Sequence, residues 1–573
     1  MGFYFPWDRE ALRRQAAIVA GKAAPTLVLS GAEYLNASLK AWERANIWID
    51  RDRIVYVGER MPLESADTEI IDCSGYVLVP GYIEPHAHPF QLYNPWTFAA
   101  YAAERGTTTL IADNLVFFTE LSDDDAFSII ERLADGPTTW FWWCRYDAQT
   151  LLREQPFNSE RIRKWLEHPL VIQGGELTGW PGVLQGDDDI LEWMIATKKA
   201  GKTIEGHLPG ASEKTLTQLE LLGVDCDHEA MTGEEAWRRL RLGLSTSLRY
   251  SSIRPDLPDI LRDLLARGVK HFDRLYMTTD GSTPAFYEQG IMDRTVEIAL
   301  EQGVPEIEAY LMATANPARH YGIHRMVGEI APGRLAHINI LEAKDKPTPV
   351  SVLAKGRWVK RDGAPCYPET GPSVREALGG FSIDWDLDPA ELEPDTPVGI
   401  DMVNAVITQP FTAEAPVGEE PPEGVHYLTL YGRDGRWKLS TWLKGFGDRI
   451  AGFASSYSST GDILLIGKNK TDMVTAFQRM KAIGGGMVLV EDGRVLAEIP
   501  LAIRGWVSDK PLPELMEEER ALTALLRARG YRFADPVYTL LFLSATHLPY
   551  IRLTQRGLVD VMKREVLVPA IER

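Results

Sequence analysis

The chain has 573 residues, with 61 Lys and Arg against 81 Asp and Glu, a formal net charge of −20, and 45% hydrophobic and 25% charged residues. That length exceeds one compact domain, and the composition is that of a globular protein with a large core, so a small module and wholesale disorder are both excluded. The excess of acid, with no basic arm, argues against nucleic-acid phosphates or anionic lipid as partners.

At the start, Met1 to Arg14 (MGFYFPWDREALRR) carries charges where a secretory signal needs an apolar stretch, and Pro6 spoils a myristoylation pattern. Cys73, Cys144, Cys226 and Cys366 are far apart and form no CxxC pair, which argues against a disulfide scaffold and a zinc ribbon. No apolar run reaches the ~20 residues that span a bilayer, the nearest being broken segments such as Tyr538 to Leu543. A cytoplasmic location is expected.

Residues 1–79 are expected to hold an N-terminal extension and the first part of a small β-sandwich: Leu27 to Leu29, Ile47 to Ile49, a turn at Asp50 to Asp52, and Ile54 to Val57. The same flavour returns over residues 326–365, at Gly328 to Leu341 and Pro349 to Arg361, which suggests a sandwich completed from both flanks. Between them, over residues 80–325, apolar runs alternate with helical patterns. The candidate strands are Tyr76 to Ile83, Thr107 to Ala112, Thr139 to Arg145, Leu170 to Glu176, Lys202 to Glu205, Val224 to Cys226, Leu244 to Arg249 and Arg274 to Thr278. Eight strands with helices between them over about 250 residues predict a (β/α)8 barrel, and no GxGxxG follows the first strand to favour a doubly wound sheet. From 366 to 573 the reading is a linker, rich in Pro, Gly and acid through Pro394 and again at Ala413 to Gly424, and then an α+β domain. That domain has strands at Tyr427 to Tyr431 and Ile463 to Gly467, a helix at Lys470 to Ile483 and a hairpin, Met487 to Glu498, turning at Asp492-Gly493.

Of eleven histidines, four fall at the C-terminal ends of predicted barrel strands: His86, His88, His207 and His228. Glu176 ends the fourth strand and Asp280 follows the eighth. Barrel enzymes build their sites at that face, so these six metal-competent side chains should converge. In His86-Ala87-His88 the alternation along a strand sends both imidazoles to the same side. Neutral imidazoles with carboxylates suit Zn, Mn or Fe, and a carboxylate such as Glu176 can bridge two ions.

These segments resemble the amidohydrolase superfamily and, within it, the adenine deaminase family. The stretches that carry the resemblance are VPGYIEPHAH (Val79 to His88), GTTTLIAD (Gly106 to Asp113), GGELTGWPGVL (Gly174 to Leu184), EGHLPG (Glu205 to Gly210), DCDHEAMTGEEA (Asp225 to Ala236), TTDG (Thr278 to Gly281), ATANPARHYGI with GEIAPGR (Ala313 to Arg334), and downstream GFGDRIAGFASS, IGKNKTDMVTA and IGGGMVLVEDGRV (Gly445 to Val495). The resemblance implies two divalent ions, Mn or Fe by family habit with Zn admitted. His86, His88 and Asp280 would hold one, His207 and His228 the other, with Glu176 between them. It implies hydrolytic deamination of adenine or a similar aminated heterocycle, with Asp280 moving the proton; Glu229, next to His228, is read either as a shuttle of a proton to the ring nitrogen or as an acidic cap on the helix that starts nearby. It also implies a homo-oligomer. Three segments depart from the family pattern: Asp113-Asn114-Leu115-Val116 stands for DPHE, Pro89-Phe90-Gln91 for a Glu-Ser-Ser run, and Ser456 to Gly461 for a histidine-rich AHDSHN segment. They motivate an alternative substrate for the same site, such as a cyclic amide, an N-acyl compound or a lactone. A non-catalytic metal-binding protein is the reading of another class.

Trp180, in the loop after Glu176, and Arg249, at the end of the seventh strand, are candidate substrate contacts, each weighed against plain packing or a salt bridge. Trp140 to Trp143 is read as core packing. The remaining histidines, including His168, His271, His320 and His324, are read as structural.

Overall fold

The computed structural model describes residues 8–367, 374–394, 396–413 and 421–573. Residues 1–7 of the N-terminal segment and most of the Ala413 to Gly424 connector, 414–420, lie outside the described residues.

Strands from both flanks meet in one nine-stranded ladder. Leu27–Asn36, Ala41–Asp50 and Arg53–Gly58 form a meander, and Val77–Pro80 joins it to the returning strands Ile338–Leu341, Ser351–Ala354 and Arg357–Arg361. Tyr76 to Ile83, expected as one strand, divides at Gly81. Val77–Pro80 pairs with Ile338–Leu341, and the chain then crosses into the barrel, where a Cβ on Gly81 would strike the Thr108 side chain. Only glycine lets the backbone pass so closely from one sheet to the next.

The barrel strands are β1 (Tyr82–Ala87), β2 (Thr107–Ala112), β3 (Thr139–Cys144), β4 (Val171–Leu177), β5 (Thr203–Gly206), β6 (Cys226–Asp227), β7 (Ser245–Arg249) and β8 (Leu275–Thr278), hydrogen-bonded in that order. All seven junctions are parallel. The strands are buried on both faces, as continuous apolar runs require when helices cover the outside. At the remaining seam, β8 and β1 lie side by side and a side chain does the stitching: Thr278 Oγ1 donates to Glu84 Oε1 at 2.6 Å, and Thr279 N and Oγ1 donate to Oε2 at 2.9 and 2.7 Å. Burial lifts the Glu84 carboxyl to about 7 even so.

The C-terminal part builds a second nine-stranded sheet, eight strands from Val398–Met402 to Arg494–Pro500 and a ninth, Ile571–Glu572, with the helix Lys470–Ala482, capped by Asn469, packed on it. Beyond it come the helices Leu512–Ala528 and Pro536–Phe542 and a three-stranded sheet from Ile551 to Pro569. These last elements lie against the barrel mouth. Asn94 Nδ2 donates to Ser508 O at 2.8 Å, Thr546 N to Gln149 O at 2.8 Å, and Thr283 Oγ1 to Asp535 Oδ2 at 2.8 Å. Among the described residues, no helix is long and apolar enough to cross a membrane.

Candidate active site

The C-terminal ends of the barrel strands bring all six expected side chains together. His86 and His88 come from the end of β1, Glu176 from β4, His207 just past β5, His228 just past β6, and Asp280 two residues past β8. Asp280 adopts the left-handed backbone region, φ 53°, and its N–H donates to Thr278 Oγ1 at 2.9 Å. Such a conformation in a non-glycine residue is held by its surroundings, and it is common where a side chain must be aimed.

The ligand atoms fall into three overlapping groups: His86, His88 and Asp280; His86, Glu176 and His228; His207, His228 and Glu229. His88 Nε2 lies 3.0 Å and His86 Nε2 3.8 Å from Asp280 Oδ1, and His86 Nε2 is also 3.8 Å from Glu176 Oε2. On the other side, Glu176 Oε1 meets His207 Nδ1 and stands 3.4 Å from His228 Nε2. Glu176 therefore presents one oxygen to each half of the cluster. The His86 Nε2 atom is buried with no hydrogen-bond partner, which is expensive for a polar atom unless it serves as a ligand. This donor set of imidazoles and carboxylates fits divalent metal.

A second layer of charge holds these groups in place. Glu205, on β5 and fully buried, accepts from His86 Nδ1 and His228 Nδ1, both at 3.0 Å, and from Gln173 Nε2 at 2.7 Å. A carboxylate only accepts, so each imidazole carries its proton on Nδ1 and turns an Nε2 lone pair to the site. Burial alone would raise the Glu205 carboxyl, but His86 and His228 outweigh it and leave it well below the ordinary range. His88 Nδ1 sits 2.9 Å from Asp113 Oδ2, and Arg145 donates to both Asp113 oxygens at 2.8 and 2.7 Å and approaches Glu176 Oε2 at 2.9 Å. For His88, burial works against the charged ring, yet Asp113 and Asp280 win and raise it to about 9. Arg249 joins Asp280 Oδ2, at 2.9 Å, to Glu229 Oε1, and Arg254 takes Glu229 Oε2 at 3.0 Å.

Above the cluster opens a cavity of about 720 Å³. Its floor includes His88, Glu176, His207, Glu229, Arg249 and Asp280, and much of its wall comes from the C-terminal part, with segments 404–407, 457–459 and 545–549 and the side chain of Tyr538.

Two comparisons identify the scaffold. Residues 77–360 match the amidohydrolase family and residues 405–565 the adenine deaminase C-terminal domain. A Halalkalibacterium halodurans protein named "Putative adenine deaminase BH0637" is 54% identical over 99% of this chain and 99% of its own. The chain belongs to the adenine deaminase family of amidohydrolases. A Bacillus subtilis relative, named in the same terms, is 48% identical over 99% of both chains, and a Moorella thermoacetica protein named adenine deaminase is 28% identical over 97% of both.

Against this family frame, the two candidate substrate contacts separate. Arg249 reaches the cavity while bound to Asp280 and Glu229. Trp180 opens the short helix Trp180–Val183 and packs on the core outside the cavity wall, because that turn faces the helix Asp188–Lys199 rather than the mouth. The aromatic run splits by strand alternation. Trp140 and Trp142 stack on each other at 5.5 Å on the helix side, while Trp143 points inward and stacks on His86 at 4.4 Å. His168, read as structural, closes the helix Ser159–Glu167 and stacks on Phe127. His547, grouped with the structural histidines, lies instead in the cavity wall with its ring centroid 5.2 Å from His207, and burial lowers it to about 3. No barrel-strand rule could find it, since it arrives from the far end of the chain. Glu205 and Asp113 were also missed as functional. Glu205 could have been found by its spacing, two residues before His207 and so on the same side of the strand.

Proposed function

We propose that the protein is a divalent-metal-dependent hydrolytic deaminase that converts an aminated heterocycle, adenine first among them, and water to the hydroxylated ring and ammonia. The observation that carries this reading is the convergence of four imidazoles, Glu176 and Asp280 on the floor of one cavity in a chain of this family. His86, His88 and Asp280 would hold one ion and His207 and His228 the other, with Glu176 available to both; Mn or Fe is favoured and Zn is admitted. Bound there, the metals would activate water and polarise the carbon under attack.

The chain's own groups do the rest. Arg145 and Arg249 keep Glu176 and Asp280 ionised inside a buried site. Asp280, with Oδ1 facing His88 and Oδ2 held by Arg249 at 2.9 Å, is the carboxylate placed to take the water's proton and hand it to the departing amine. The oxygen is bonded to the ring carbon, the C–N bond breaks, and the proton leaves with ammonia. Glu229, with both oxygens on arginines, anchors Arg249 beside Asp280.

Ammonia release from a panel of aminated heterocycles, run beside amides and lactones on protein loaded with Mn, Fe or Zn, tests the reading. Turnover of adenine or a related base is expected, with about two ions per chain by elemental analysis. Turnover confined to amides or lactones, or a stoichiometry that stays at one or below, overturns it.

A further inference from the structure

Tyr538 begins the apolar run Tyr538 to Leu543 that stood out in the sequence as the nearest approach to a membrane segment. In the fold that run lies in the helix Pro536–Phe542, over the barrel mouth. Asp535 fixes the helix in two directions. Its Oδ1 accepts from Tyr538 N at 2.9 Å, and its Oδ2 accepts from Thr283 Oγ1, on the loop that follows Asp280, at 2.8 Å. From the same side, Glu519 accepts from Ala285 N at 2.6 Å.

The Tyr538 side chain is divided by this placement. Its ring packs on Phe542, with centroids 4.9 Å apart, and on Ala545, in an apolar cluster that Ile253, Val406 and Leu548 complete. Its hydroxyl points the other way, onto the backbone beside Asp280. A Cβ placed on Gly281 would come within 2.7 Å of that oxygen and 3.0 Å of His88 Cδ2, so the glycine is the space in which the phenol sits. The residue lines the cavity together with Asp280, Arg249 and Glu176. Its hydroxyl makes no hydrogen bond to another side chain among the described residues, while both Glu229 oxygens are taken by arginines. The floor thus has abundant carboxylate acceptors, and the Tyr538 hydroxyl is a neutral donor held against it from above, beside Asp280.

We propose that Tyr538 is a catalytic residue supplied by the C-terminal part of the chain. Its hydroxyl donates a hydrogen bond to the substrate atom on which negative charge gathers as water adds, the ring nitrogen of an aminated heterocycle or the carbonyl oxygen of an amide. The bond strengthens as the carbon becomes tetrahedral, and a preorganised donor of this kind acts on kcat more than on KM. This role rests on the hydrolytic reading of the site, although not on the choice of substrate.

The test compares wild type, Tyr538→Phe and Tyr550→Phe, an exposed tyrosine of the same region outside the cavity wall, all metal-loaded, on whichever compound of the two panels the wild type turns over best. Tyr538→Phe should keep its metals and lose on the order of 100-fold in kcat, with KM within a few-fold, the size seen for one lost oxyanion donor. Tyr550→Phe should stay within twofold. A Tyr538→Phe enzyme with full metal and kcat within threefold of wild type overturns the proposal and leaves the function standing. If only amides or lactones are turned over, the deaminase reading falls and the same comparison on that substrate still decides Tyr538. Turnover of nothing in either panel overturns both.

Discussion

Glu205→Gln separates the metal-orienting layer from the ligands themselves. In the structure one carboxylate serves a histidine from each half of the cluster, with Oε2 taking His86 Nδ1 at 3.0 Å and Gln173 Nε2 at 2.7 Å, and Oε1 taking His228 Nδ1 at 3.0 Å. An amide has the same shape but one acceptor. Two donors converge on the Oε2 position and one on Oε1, so the amide oxygen should stay with His86 and Gln173 and turn its NH₂ toward His228. Donor then meets donor. His228 must shift its proton to the ring nitrogen that faces the site, or rotate. Removing one such outer partner weakens metal binding by roughly 10- to 100-fold, about 1.4 to 2.7 kcal/mol. The ion held by His207 and His228 should suffer the larger loss, and the ion held by His86, His88 and Asp280 a smaller one. Competition against a graded chelator, read by elemental analysis, measures both affinities, and a melting curve on the same sample confirms that the variant is folded. Two ions retained within threefold of wild type, or a loss confined to the His86 side, would refute the reasoning.

Asp280→Asn should lower turnover by at least the ~100-fold typical of a lost general acid/base, while a substrate analogue binds with modestly altered affinity; a variant that keeps its metals and turns over within a few-fold shows that Asp280 is not the proton carrier. Glu519→Gln concerns stability. Burial, and after it Asp535, holds the Glu519 carboxyl above the ordinary carboxylate range. A group that keeps its proton more tightly when folded contributes stability at low pH and loses it as pH climbs from the unfolded value through the raised one. The wild type should therefore lose Tm between about pH 4.5 and alkaline pH relative to Glu519→Gln, whose amide can accept from Ala285 and donate to Asp535, and parallel Tm profiles for the two proteins contradict this.

The strand order of the barrel and five of the six cluster residues follow from rules local to a strand, and so they could be read from the sequence. Alternation placed His86 beside His88, and strand ends placed Glu176, His207 and His228. Asp280 was legible because it follows β8 closely, but its left-handed backbone was not, since that conformation depends on Thr278 and the loop beyond it. The cavity wall was illegible for a different reason. Tyr457, Tyr538 and His547 reach the barrel mouth from residues more than 170 positions downstream of β8, through contacts such as Thr546 N to Gln149 O that no periodicity announces. For Trp180, nearness in sequence to Glu176 left packing and substrate contact both open, and the direction its turn faces comes only from the fold.

The three segments that depart from the family pattern were separate observations in the sequence, and in the fold they form one surface. Gln91 Oε1 accepts from the Tyr457 hydroxyl, Phe90 meets Phe117 edge-on with centroids 5.4 Å apart, and Phe90, Leu115, Val116, Tyr457, Ser458 and Ser459 all line the same cavity. The segments Pro89 to Gln91 and Ser456 to Gly461 are thus bonded to each other, and residues of all three line one cavity. Within the Asp113 to Val116 segment the layer behind the metal ligands is present, since Asp113 binds His88 and Arg145. Asn114 after it accepts from Arg145 N at 3.1 Å, and Leu115 and Val116 line the cavity. The groups that hold and charge the centre and the groups that wall the cavity above it are therefore different sets of residues, so they have to be tested by different measurements, metal affinity for the first and substrate discrimination for the second.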